Sequence, residues 1–595
     1  MTRRSFLTAG LALAAAGALQ APAFAVPATA AHARVRPGQP GWPGAADWDG
    51  LKQAVGGRLS PITPPDVADP AVKAQLGNPF YVGDQPGLTQ STGWLDAWQS
   101  TPGAYVVAAE SAADVAAAVR FARAHDLRLT VRGGAHSYLG CSNAPDSLMV
   151  WTRRMRDVQV HDAFAPKGVR GPAVPAVTLG AGCIWLDAYT AVTTGAGRYV
   201  QGGGCTTVGC AGLVQGGGFG SHSKGFGTAA ASLLEAQVVT ADGQVRLVNA
   251  AREPDLFWGL KGGGGGTFGV ITRMTLATHP LPELFGGANM VIRAKSDQAF
   301  RALLGRFLQL YAEALHNPHW GEQVRALSGN RLEVSMVFQG ITAAEARAAW
   351  APFIAWCDEH AGDYDGYKGL FAITIPARHF WDAEYLKKNL PPGIIRSDER
   401  PGAPAGNFWW NGDGDQVGAW WHAYQSVWLP ASLLTPAGRE TLADAWFAAS
   451  RQHGVSFHFN KGLSGAAPDV IARSRATATN PEVLDAFALA IIASAGPPVW
   501  PGSKSPTPSP NPLVARIGKE KTAAAMAALR KAAPGAGAYV NECDFFQPDW
   551  QHAFWGPHYP RLLAAKRRYD PTGLFTAHHT VGSEGWSEDG FTRRG

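Results

Sequence analysis

The chain has 595 residues, too many for a single hydrophobic core, so two or more domains are expected. With 16% charged residues, 71 glycines and 21 tryptophans, the composition is that of a globular ligand-binding protein and excludes a disordered one. The formal charge of +6 is carried without any Lys/Arg cluster interleaved with aromatics, which argues against a nucleic-acid partner.

The chain begins "MTRRSFLTAGLALAAAGALQAPAFA". Arg3 and Arg4 precede Ser-Phe-Leu, a modest apolar run and then Ala23-Phe24-Ala25, a small-x-small cleavage signal; Ala30 offers a second cleavage point. This is the pattern of a twin-arginine export signal over residues 1–30, a route that carries folded proteins. No later stretch reaches the ~18 apolar residues a spanning helix needs, so no stable membrane anchor is expected after its removal. Six cysteines in so long a chain are not a disulfide framework.

From Tyr105 to Val131 the order reads strand, helix, strand. Ser111 and Asp114 form a capping pair, and Val115, Ala118, Val119 and Ala122 fall on one helical face. "AVTLGAG" (176–182) is a strand followed by a helix from Trp185. Asp242-Gly243 joins two β-rich runs as a hairpin, and 269–280 is a strand ending at a proline. Residues from about 99 to 280 thus form a glycine-rich α/β unit. Beyond Pro280 the texture changes. "RLEVSMVFQ" (331–339) and "VSFHFNKG" (455–462) alternate like strands with one exposed face, and helical segments around 297–314 and 437–451 lie between. An antiparallel sheet backed by helices is expected. "GPPVWPGSKSPTPSPNP" (496–512) is a loop.

Three glycine clusters stand out: Gly133-Gly134, "QGGGCTTVGCAGLVQGGGFG" (201–220) and "KGGGGGTFG" (261–269). The last holds a G-x-G-x-x-G at Gly264, Gly266 and Gly269. It precedes a strand instead of opening a helix, and it lacks the later acidic residue, so it fails as a nicotinamide-dinucleotide fingerprint. The first two clusters suit backbone nests for a pyrophosphate, which suggests FAD on a fold of another kind.

R-G-G-x-H-S at 132–137, G-x-G-C-x-x-V-G-x-x-G at 202–212, "DLFWGLKGGGGGTFGVIT" at 255–272 and "YDPTGLF" at 569–575 together resemble the berberine bridge enzyme-like FAD-linked oxidases of the vanillyl-alcohol oxidase superfamily. The resemblance implies an α+β fold with a PCMH-type FAD-binding domain over 85–282 and a substrate domain over 283–534. A C-terminal segment, 535–580, would return to the flavin. It implies FAD bonded twice, with His136 on the 8α carbon and Cys205 on C6. Arg132, Gly133, Gly134, Ala135, Ser137, Gly204, Val208, Gly209, Gly212, Gly217, Gly218, Gly220, Val270 and Asn541 are the further cofactor-binding positions it suggests. Ala135 replaces a frequent third glycine, and Cys210 occupies an ordinarily apolar position.

A base is needed while hydride leaves the substrate. Where relatives resemble Y-x-N-Y, this chain reads Tyr539-Val540-Asn541-Glu542, which puts a carboxylate in place of a phenol. An ordinary Glu titrates near ~4.3 and serves as a base only if burial raises it toward ~6–7. Many relatives also carry a carboxylate at the start of a substrate-domain strand; His458, with Asn460 on the same face, is the loosely matching position here. Glu542, His458 and Tyr539 are therefore the catalytic candidates. The Trp-rich stretch 408–430 is core, or else Trp409, Trp410, Trp420 or Trp421 lines a cleft. His578-His579 has no convincing metal-binding partners. The expected protein is an exported oxidase acting on an alcohol, a sugar hydroxyl or an amine, with dioxygen as electron acceptor. A dehydrogenase or an oxidative cyclase on the same scaffold is the alternative, and a non-catalytic flavin- or carbohydrate-binding protein is a distant one.

Overall fold

The computed structural model describes residues 32–502 and 510–594. The export signal expected in residues 1–30 lies outside them.

The first lobe is built on two sheets. Strands Tyr105–Ala108, Ser147–Trp151 and Arg128–Arg132 run parallel, with Leu59–Pro61 antiparallel at the edge. The second sheet is antiparallel, in the order Val245–Asn249, Leu233–Val239, Val270–Ala277, Val174–Gly180, Val158–Phe164. Helix Ala112–Ala124 starts at the expected capping box. Ser111 Oγ accepts the Asp114 N–H at 3.2 Å, and the Asp114 carboxylate accepts the Ser111 N–H at 3.1 Å. Its apolar stripe of Val115, Ala118, Val119 and Ala122 is wholly buried. The same core takes Val107, Leu129, Leu148 and Val150 from one sheet and Val239 and Val270 from the other, so this helix cements the two sheets together. The Asp242-Gly243 hairpin forms as expected: Asp242 Oδ1 accepts from the Thr240 hydroxyl and the Gln244 N–H, and Gly243 takes φ +74°.

The second lobe is a ten-stranded sheet. Its alternation is the one read in the sequence. Met290 and Ile292 on strand Leu284–Ala294, and Leu332, Val334 and Met336 on strand Arg331–Gln339, face helices Asp297–Leu310, Ala343–Glu359, Pro436–Ser450 and Pro512–Arg530. Phe300, Leu303, Phe307 and Trp446 meet them there. Each fully buried side chain of this size stabilises by roughly 1.5–3 kcal/mol. The opposite face of the sheet is left for the site.

One expectation is corrected. The strand expected over 455–462 ends at His458, where the chain turns back through a Lys461 N–H to His458 C=O bond of 3.1 Å. Ser91–Trp94 pairs in parallel with strand Ala419–Pro430, and Trp98–Gln99 pairs with Ser91–Trp94, so both belong to the large sheet. The C-terminal segment returns to the first lobe. Asp570 accepts from the Leu574 and Phe575 N–H groups and pairs with Lys566, and Leu574 and Phe575 fill the core beside helix Ala112–Ala124.

Candidate active site

A cavity of about 700 Å³ opens between the glycine turns of the first lobe and the helix-free face of the large sheet. That volume is in the range of small-molecule and cofactor sites.

Strand Arg128–Arg132 delivers the turn 133–137 to the cavity. A Cβ on Gly134 would stand 2.5 Å from the Gly209 nitrogen and 2.9 Å from the Thr207 carbonyl oxygen. A Cβ on Gly209 would stand 2.7 Å from the Gly134 nitrogen. These two glycines let one turn lie directly on the other. Ala135 between them takes φ +60°, a left-handed conformation that explains why a glycine suits this position. The close approach carries His136 over the 204–208 loop, where its Nε2 meets Thr207 Oγ1 at 3.1 Å. Nδ1 is thereby left as the ring nitrogen available for a bond to carbon. Burial pushes His136 down to about 4, so the imidazole is neutral and nucleophilic at ordinary pH. Cys205 opens onto the same cavity, and its thiol donates to Asp413 Oδ1 at 3.2 Å.

Gly133, Gly134, Ala135, Ser137, Gly204, Val208, Gly209, Gly212 and Asn541 also line the cavity, as expected. Five expected positions do not. The Arg132 guanidinium is fully buried and donates to the carbonyls of Gln85 at 2.7 Å and Pro86 at 2.9 Å, so it ties down a neighbouring loop. Gly217 and Gly218 hold φ +100° and +77° and pack against Thr479 and Leu213. A Cβ on Gly220 would lie 1.7 Å from the Gly202 carbonyl oxygen, so this glycine is required for packing. Val270 belongs to the core, and strand alternation turns Gly269 and Ile271 to the cavity instead.

The third glycine cluster, rejected as a nicotinamide fingerprint, also reaches the cavity: Gly264, Gly265 and Gly266 line it. A Cβ on Gly212, Gly265 or Gly266 would meet nothing within 4 Å. Space is therefore left open over helix Cys210–Gln215 and over the turn at 264–266, as a dinucleotide cradle requires.

The sheet supplies the other wall. Asn289, Ser335, Gln323 and His458 stand in one register row across four strands, with Phe371 at its far end. Glu322, on strand Trp320–Leu327, takes φ +65° and turns its carboxylate into the cavity, where it accepts from Ser221 Oγ at 2.5 Å and Asn460 Nδ2 at 3.3 Å. Burial raises its pKa. A non-glycine residue in this conformation is a local strain of the kind that collects at functional sites. Glu322, near the start of strand Trp320–Leu327, was missed by sequence reasoning because no motif marks it. His458 is bonded to Ser456 Oγ at 3.0 Å, and burial, then the Lys461 charge, holds it well below the ordinary histidine range.

Glu542 lines the cavity with both carboxylate oxygens 2.6 Å from Lys461 Nζ. Tyr539 Oη accepts from the Gly218 N–H at 3.2 Å and from Asn541 Nδ2 at 3.0 Å, and burial keeps its phenol protonated. Asp413, missed by sequence reasoning, sits on a short 3-10 turn, Asn411–Gln416, and burial pushes it up to about 6. Of the four tryptophans considered, Trp410 alone lines the cavity; Trp409 and Trp421 are core. His578 and His579 stack on each other at 3.8 Å, and His578 stacks on Phe545 at 3.6 Å.

Glycine backbones facing an open volume, with a neutral imidazole, a thiol and carboxylates lining the same cavity, are the features of a flavin-dependent redox protein. Residues 102–249 match the FAD binding domain family, and residues 538–582 match the berberine and berberine-like family. The FAD-linked oxidoreductase ZEB1 of Gibberella zeae is 30% identical over 597 residues, covering 93% of this chain and 94% of its own. The fold is that of a VAO-type flavoprotein from Myceliophthora thermophila C1, with TM-score 0.75 at 24% identity over 95% of this chain and all of that one. It is also that of an Acremonium strictum glucooligosaccharide oxidase described with a 6-S-cysteinyl, 8α-N1-histidyl FAD, with TM-score 0.63 at 19% identity over 90% and 99% of the two chains. The chain belongs to the FAD-linked oxidoreductases of the vanillyl-alcohol oxidase superfamily, in its berberine bridge enzyme-like branch. It is an FAD-dependent enzyme, and among its described residues no helix is long and apolar enough to cross a membrane.

Proposed function

We propose that this protein is an exported oxidase, with residues 1–30 as its twin-arginine signal, that holds FAD through His136 and Cys205 and oxidises an alcohol with dioxygen as the final acceptor. The PCMH-type domain over 85–282, the substrate domain over 283–534 and the returning segment 535–580 are its working parts. The observation that supports the reading is the shared opening of His136 and Cys205 onto one cavity that Glu322, Glu542 and His458 also line. FAD supplies the two-electron acceptor when bound.

Among the proton acceptors, Glu322 is supported best. Glu542 is committed to Lys461, whose ammonium it orients, and His458 is engaged by Ser456. Glu322 is raised by burial toward the range where a carboxylate both ionises and binds a proton usefully. Tyr539 and Asn541 form a bonded pair that fixes the cavity floor against Gly218.

The outer cavity favours an apolar alcohol over a sugar or an amine. Phe371, Ile373 and Ile375 from one strand line the cavity together with Leu390, Pro391 and Ile394, while the carboxylates and Lys461 stand near Cys205 and Tyr539. Each methylene buried there gains about 0.8 kcal/mol. Each sugar hydroxyl left without a partner costs roughly 1–3 kcal/mol.

Three measurements test this. Flavin should stay with acid-precipitated protein. Peroxide should appear in step with product when aryl or long-chain alcohols are supplied. Glu322→Gln should lower the rate of anaerobic flavin bleaching by about 10²–10⁴-fold while leaving flavin content unchanged. Free flavin in the supernatant ends the reading; an unchanged bleaching rate removes Glu322 as base.

A further inference from the structure

The Cys205 thiol is half-buried at the cavity wall, and desolvation together with the Asp413 charge pushes it well above the ordinary thiol range, so it does not ionise by itself at neutral pH. Its proton points at Asp413 Oδ1, 3.2 Å away. The other oxygen, Oδ2, is buried without a hydrogen-bond partner among the described residues. Asp413 lies on the 411–416 turn, which follows strand Phe408–Trp410, whereas Cys205 lies on a first-lobe glycine turn. Glu322 and Lys461 also reach this thiol through their charges, but among the described residues its one hydrogen bond goes to the Asp413 carboxylate, which keeps a free, desolvated oxygen.

We infer that Asp413 is the base that matures the enzyme, taking the Cys205 proton so that sulfur can bond to the flavin ring. The inference rests on the bicovalent reading above. The reaction balances as Cys–SH plus the C6–H of oxidised flavin plus O₂ giving Cys–S–C6 and H₂O₂. The S–H and C6–H bonds break, the S–C bond forms, and dioxygen takes two electrons and two protons. His136 attachment needs no help from Asp413, because its neutral imidazole is held by Thr207 on the far side. The two links are thus separable.

Asp413→Asn keeps the shape of the side chain and removes its basicity. Apo-protein is reconstituted with FAD in air, denatured, digested and mapped by mass. Wild type gives one flavin bridging the peptides that contain His136 and Cys205. Asp413→Asn is expected to carry flavin on the His136 peptide alone, with Cys205 free to react with iodoacetamide and bridge formation slowed about 100-fold or more. Asp413→Glu is expected to restore the bridge in part. Bridging at the wild-type rate in Asp413→Asn overturns the inference. So does loss of both links in Asp413→Asn under conditions where Cys205→Ser keeps the histidyl link, since Asp413 would then serve binding instead of the thiol. Wild type without any attached flavin overturns the bicovalent reading itself.

Discussion

At the scale of single residues, strain and burial mark the site more clearly than residue type does. Ala135 at φ +60° and Glu322 at φ +65° are both left-handed, a conformation that costs a non-glycine residue about 1–2 kcal/mol. At Ala135 nothing requires the methyl. Ala135→Gly should raise the denaturant midpoint of the apo-protein by the equivalent of about 0.5–1 kcal/mol, the relieved strain exceeding the added entropy of the unfolded chain. An unchanged or lower midpoint would show that the turn is not strained. His136 and Cys205 were legible because they stand inside glycine motifs whose backbone contacts leave few alternatives. Glu322 and Asp413 were not. One lies in an ordinary-looking strand and the other in a short 3-10 turn, and only the fold reveals that each faces the Cys205 side of the cavity.

At the scale of elements, the decisive contact is between two turns, 133–137 and 204–209. Gly134→Ala would put a Cβ 2.5 Å from a backbone nitrogen that has nowhere to retreat. Overpacking of this kind costs about 1–3 kcal/mol, and here it would also lift His136 off Thr207. The expected outcome is protein that folds with a lowered melting temperature and retains little flavin after denaturation; full covalent loading would contradict it. The strands of the large sheet were readable from alternation because helices cover one face, while the other is mixed in polarity. The end of strand Val455–His458 was not, because Phe459 and Asn460 continue the alternation while the backbone already turns. The strand Ser91–Trp94 escaped for another reason: its partner, at 419–421, lies more than half the chain away, and no local pattern announces a parallel pairing over such a separation.

At the scale of the whole molecule, several histidines are buried as neutral rings. Burial pushes His222 down to about 3 and His279 to about 4. An unfolded histidine titrates near ~6.5, so between that pH and the folded values the unfolded chain binds more protons. The stability these rings confer is therefore complete above about pH 6.5 and is lost as pH falls toward 4. Melting temperature should drop steadily as pH falls below 6.5. His222→Phe, which preserves the stack on Phe285 at 4.3 Å, should shallow that decline. A decline of identical slope would assign the effect to other groups.

The two extremities of the described polypeptide are stitched together. The Arg34 N–H bonds the Phe591 carbonyl, the Arg593 N–H bonds the His32 carbonyl, and the Arg34 guanidinium reaches the Gly590 carbonyl. A short peptide linker could therefore splice residue 593 to residue 32 without stretching, and the molecule could be reopened at an exposed loop such as 401–406. Such a circular permutant would give free ends at a place of the engineer's choosing, for anchoring to an electrode or bead, with the flavin cradle and the sheet wall keeping their relative placement.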